Sequence, residues 1–144
     1  MDTRFIKMNN GWNAEPNAPA PVVSRSGDDV FLEFDLNAFR YKNFAEGDRG
    51  RLVFRRCWRY RLGSTNDEGW YLGQCRFGKI APAWGEFYEV DGDLKLESAP
   101  DDWMIIGPEP HPPAKHFLST CETKHLSVTQ RVSNRSLCFE VNAL

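Results

Sequence analysis

Asp67 and Glu68 stand in a polar stretch between two aromatic-rich segments, with Glu86 and Glu89 further along the chain. Two such carboxylates facing each other across a cleft could act as general acid and general base on a glycosidic bond. Acids in loops are more often solvated turn residues, and nothing in the spacing fixes a separation between these four. A second set is basic. Arg51, Arg55, Arg59 and Arg61 fall on odd positions of a segment that also holds Trp58 and Tyr60. A guanidinium beside an indole or phenol can hold a phosphate backbone and stack bases. The commoner arrangement pairs such arginines with Glu33, Asp35 or other carboxylates of neighbouring strands, or leaves them solvated.

The charge balance weighs against nucleic acid. Eighteen Lys and Arg against twenty Asp and Glu give a formal charge of -2, which leaves no overall field to gather nucleic acid or an anionic membrane. His111, His116 and His125 lack metal-ligand spacing. Cys57, Cys75, Cys121 and Cys138 lack a Cys-x-x-Cys pair, so neither a zinc site nor a dithiol redox centre is expected. No nucleotide loop or nucleophile elbow is present, and no cofactor is expected. The start of the chain carries Arg4 and Lys7 with no apolar segment behind them, and no apolar run reaches membrane-spanning length. A cytoplasmic protein with free thiols is the expectation.

Residues 51–90 concentrate large amphipathic side chains: Phe54, Trp58, Tyr60, Trp70, Tyr71, Phe77, Trp84, Phe87 and Tyr88. Most such residues fill a core. Any of Trp58, Trp70, Tyr71, Trp84 and Tyr88 left accessible would be a binding anchor, because Trp and Tyr join a broad apolar surface to a polar tip.

The elements that must position these groups are strands. Aromatics at 13%, nine prolines and eleven glycines favour short strands and tight turns. Val30, Leu32, Phe34 and Leu36 alternate with Phe31, Glu33, Asp35 and Asn37, the pattern of a strand with one face on a core. Residues 9–21 read as an irregular lead-in, since Pro16, Pro19 and Pro21 exclude helix and disfavour a central strand. Residues 37–44 read as a loop or a single helical turn. Residues 51–62 read as one amphipathic strand joined through a loop at 63–69 to another at 70–77. If Leu62 pairs with Trp70, Cys57 faces Cys75, Arg61 lies beside Tyr71 and Arg55 beside Phe77. Asp91-Gly92 marks a two-residue hairpin between strands at 86–90 and 94–96, and residues 103–106 suit a short buried strand. Together these predict a single all-β domain, an antiparallel sheet folded into a sandwich or partial barrel with little helix.

The blocks Gly11-Trp12-Asn13-Ala14-Glu15-Pro16-Asn17-Ala18-Pro19, Asn66-Asp67-Glu68-Gly69-Trp70-Tyr71 and Trp84-Gly85-Glu86-Phe87-Tyr88-Glu89-Val90 resemble those of a family of small bacterial proteins that has no assigned activity. The resemblance spans residues 11–118. It implies a closing strand of the type His-Phe-Leu-Phe-Tyr-x-Arg-Asp-Glu-Thr-Phe-Glu, of which this chain keeps His116-Phe117-Leu118. Codons permitted for residues 119–129, read in the neighbouring frame, can spell the remainder. The domain is therefore expected to cover residues 1–118, with 119–144 an out-of-frame, non-native tail that leaves a sheet edge unpaired.

The expected function is a non-catalytic binding protein, of the kind that neutralises a partner protein, using Asn66, Asp67, Glu68, Trp70, Tyr71 and Trp84. The alternative is a small-molecule or carbohydrate site in a groove lined by these aromatics, open to hydrolytic chemistry. Neither a membrane nor nucleic acid is an expected partner.

Overall fold

Alternating apolar residues put one row of a strand's side chains on a core and the other toward water. The computed structural model describes residues 4–16, 19–63, 86–91, 103–108, 115–121, 124–130 and 138–142. In it the clearest pattern of the sequence becomes strand β3 (Asp29–Asp35), with Val30, Leu32 and Phe34 buried and the residues between them half-buried. β3 lies between β2 (Val22–Ser26) and β4 (Arg49–Phe54), and β10 (Cys138–Asn142) adds to the far side of β4. The second sheet has six strands in the order β1 (Arg4–Lys7), β6 (Phe87–Asp91), β8 (Lys115–Cys121), β9 (Lys124–Gln130), β5 (Cys57–Gly63) and β7 (Met104–Ile105). All pairings are antiparallel. The fold is all-β, two sheets without closure into a barrel, and no helix occurs among the described residues.

The sheets face each other across one apolar core. Phe54 meets Phe117 with ring centroids 5.4 Å apart, and Phe34 meets Phe87 at 5.2 Å. The irregular lead-in supplies a plug. Gly11 turns with φ at 80°, a value glycine adopts without steric cost. Trp12 then enters the core, stacked on Phe139 at 4.0 Å and 5.0 Å from Phe87. A backbone bridge from Ala14 to Leu36 fixes the segment behind it.

Residues 51–62, expected as one strand, form two strands in different sheets. β4 ends at Phe54, Arg56 takes a positive φ of 54°, and β5 starts at Cys57 in the six-stranded sheet. Asp29 holds the corner: its carboxylate accepts from Arg55 Nη1 at 3.0 Å and from the Arg56 N–H at 3.1 Å. The Cys57 N–H donates to the Asp28 carbonyl at 2.7 Å. A bulge follows, because Cys57 opposes Gln130 while Arg59 opposes Thr129, which leaves Trp58 as the extra residue. The corner and the bulge each reverse which parity faces the core. Phe54, Cys57 and Tyr60 all reach it, so the even-numbered alternation resumes after two breaks and imitates an unbroken strand.

The described pairings of β5 and β6 are long-range in sequence. At Arg59 and Tyr60 one edge of β5 is taken by β9 and the other by β7. Cys75 and the rest of 64–85 lie outside the described residues, and the expected Cys57–Cys75 pairing with them. β6 carries β1 on one edge and β8 on the other, and the strand expected at 94–96 also lies outside the described residues. A strand flanked on both sides can pair its backbone N–H and C=O groups along both edges. β7 is a two-residue edge strand rather than a buried one; edge placement leaves Met104 and Ile105 exposed.

Residues 119–144, expected as a tail, contribute to both sheets. Ser119, Thr120 and Cys121 complete β8, β9 lies between β8 and β5 with Leu126 and Val128 in the core, and β10 pairs with β4 over five residues. The Ser and Thr content that suggested a tail has a physical place. Thr120, Ser127 and Thr129 are buried with His116 and Leu118 on the face of the six-stranded sheet opposite the core row Phe117, Leu126 and Val128.

Candidate interaction loop

β3 and β4 are joined by a loop at residues 36–48 that is braced from within. Asn37 supports the first turn twice, its carbonyl accepting the Tyr41 N–H at 3.1 Å and its side-chain Oδ1 the Arg40 N–H at 3.0 Å. Such side-chain-to-backbone bonds are why Asn favours turns. At the far end the Ala45 N–H donates to Asp48 Oδ2 at 2.9 Å, and the Asp48 N–H to the Ala45 carbonyl at 3.0 Å. The Leu36 N–H closes the loop on the Asp48 carbonyl at 2.8 Å.

This framework holds Phe39 out in solvent at 87% exposure, the highest of any large hydrophobic side chain among the described residues. Lys42 Nζ lies 5.0 Å from its ring centroid, and the Arg40 guanidinium 5.3 Å from that of Tyr41. Both distances are within cation–π range. The Phe39 ring therefore stands outside the core, with Lys42 over it and Arg40 over the ring of Tyr41.

A contrasting cluster lies on the second face of the six-stranded sheet. Arg59, 8% exposed, is held between the rings of Trp58 at 4.1 Å and Trp103 at 4.0 Å. Its Nε donates to Thr129 Oγ1 at 3.4 Å, and Thr129 Oγ1 shares a hydrogen bond of 3.1 Å with His116 Nδ1. Trp103 meets the His116 ring edge-on at 5.8 Å. Burial makes this a cross-link between β5, β7, β8 and β9 rather than an accessible site.

Several of the other charged residues are paired. Arg51 binds Glu140 through two nitrogens at 2.6 and 3.0 Å, Arg49 binds Asp35 at 2.7 Å, and Arg55 binds Asp29. The carboxylate pairing expected for the arginines therefore holds at Arg51 and Arg55, while Arg59 turns to tryptophan. Glu86 accepts from Asn9 Nδ2 at 2.6 Å and lies 3.6 Å from Lys7, and Glu89 lies 3.5 Å from Lys115. Both acids tie strands together. Among the described residues no cluster of His, Cys, Asp and Glu could hold a metal ion, and no helix is long and apolar enough to cross a membrane.

Asn66, Asp67, Glu68, Trp70, Tyr71 and Trp84, the residues singled out from sequence, lie outside the described residues. Of the other candidate anchors, Trp58 is half-buried under Arg59, and Tyr88 is buried against Phe5 with centroids 5.7 Å apart. Neither is an open anchor. Phe39 was missed because residues 37–44 follow no strand period. The available signal was aromatics at 39, 41 and 44 interleaved with Arg40 and Lys42 in a stretch bounded by asparagine and acidic turn residues. No family model, no curated protein and no solved structure matches the chain.

Proposed function

We propose that this protein is a non-catalytic binding protein of the bacterial cytoplasm that recognises a partner protein through the loop at residues 37–44, in the manner of an inhibitor or neutralising partner. The observation that carries the reading is the 87% exposure of Phe39 on a loop whose backbone is hydrogen-bonded at both ends. Aromatic and arginine side chains dominate the free energy of protein interfaces. A braced loop also loses little conformational freedom on binding. The resemblance to small bacterial proteins is compatible with this role and adds no activity to it.

The test is affinity purification of the tagged full chain and its Phe39→Ala variant from the cells that produce it. The wild type should retain a protein that the variant loses, with the two chains melting within about 2 °C of each other. Retention of the same protein in the same amount by both would contradict the reading.

A further inference from the structure

We infer that the surface received by this loop is an apolar pocket rimmed with carboxylates on a partner protein, an inference that rests on the recognition role of residues 37–44. The Phe39 ring cannot enter a pocket alone. Lys42 Nζ lies 5.0 Å from its centroid, and the Arg40 guanidinium lies over the ring of Tyr41 in the same loop. Burying the ring draws Lys42 to the rim with Arg40 in the same loop, and a cation stripped of water without an opposite charge is strongly disfavoured. Carboxylates at the rim resolve this and fix the orientation of docking.

Other anionic surfaces fit less well. The formal charge of -2 provides no long-range field to gather an extended phosphate backbone, and leaves only short-range pairing with a few carboxylates at the loop. A lone exposed phenylalanine is too small an apolar face to anchor the chain in a bilayer interface.

The test places a benzophenone side chain on the full chain as Phe39→p-benzoylphenylalanine, irradiates the cells that produce it, and sequences the cross-linked peptide. The cross-link should fall in an apolar pocket of a protein, beside at least two Asp or Glu side chains. Binding of that protein, measured with the purified chains, should weaken about tenfold or more in the Arg40→Glu/Lys42→Glu double variant. Raising salt from about 50 to about 300 mM should weaken the wild type but not the double variant, since exposed charges are screened beyond a Debye length. Binding that requires Phe39 but ignores charge reversal and salt would overturn the acidic rim and leave the recognition role standing. Cross-links to nucleic acid or lipid, or none at all, would overturn both. Circular dichroism of the double variant should match the wild type, and a mismatch is met by repeating the measurement with Arg40→Gln/Lys42→Gln.

Discussion

Arg59 lies between the rings of Trp58 and Trp103 at 4.1 and 4.0 Å, deep in the six-stranded sheet, whereas Lys42 lies 5.0 Å over a Phe39 ring that stands almost wholly in water. Both contacts join a cation to an aromatic face, and their surroundings give them opposite uses. In the sheet the guanidinium has lost its hydration, and attraction to the rings is strengthened by the low dielectric; there a cation–π contact contributes about 2 kcal/mol or more. In the loop water screens the pair, and about 0.5–1 kcal/mol is the upper range. The buried contact locks strands that are distant in sequence. The exposed contact leaves its ring in solvent, where only the proposed recognition role would bury it.

The largest expected effect separates the two directly. Arg59→Ala should lower stability by about 3 kcal/mol, since it removes the filling between two indoles and the bond to Thr129 together. Arg59→Lys should recover less than half of that, because an ammonium lacks the planar face that stacks on both rings. Urea unfolding of the three chains measures both values, and equal stability would reduce the buried cluster to a bystander. Gly107→Ala comes next. A Cβ at Gly107 would fall on the Cys57 carbonyl oxygen, and backbone cannot move aside as a side-chain end can. A loss of about 2 kcal/mol is expected, with a change in tryptophan fluorescence as the segment carrying Trp103 is pushed from Arg59. Unchanged emission and stability would contradict the close approach of β7 to β5. Asn37→Ala sharpens the other side of the comparison. Losing a side-chain acceptor for a backbone N–H costs about 1 kcal/mol, and hydrogen exchange at Arg40 and Tyr41 should quicken while β3 stays protected.

How much of this was legible in the sequence depends on how far each cause extends along the chain. β3 was readable because a strand with one buried face writes its period into adjacent residues. The all-β class was readable for the same reason. Strand partners were not: Arg4 opposes Asp91 and Val53 opposes Cys138, and residues so far apart leave no local mark of their pairing. The corner at Arg55 and Arg56 was hidden by a coincidence of parity, since the bulge at Trp58 restores what the corner reverses. The strands β9 and β10 were discounted because their serines and threonines read as solvated, whereas Ser127 and Thr129 are buried among polar neighbours. Phe39 was obscured in another way. Whether an aromatic in a loop folds back or stands out depends on the hydrogen bonds of Asn37 and Asp48, which set the path of the backbone and not the chemistry of the ring.

The most direct test of the central claim is a side-by-side urea unfolding of wild type, Arg59→Ala and Phe39→Ala. Phe39→Ala should unfold within about 0.5 kcal/mol of the wild type, as surface substitutions do, while Arg59→Ala falls well below both. A Phe39→Ala chain destabilised as much as Arg59→Ala would show that the loop's ring serves the fold, and the recognition role would lose its basis.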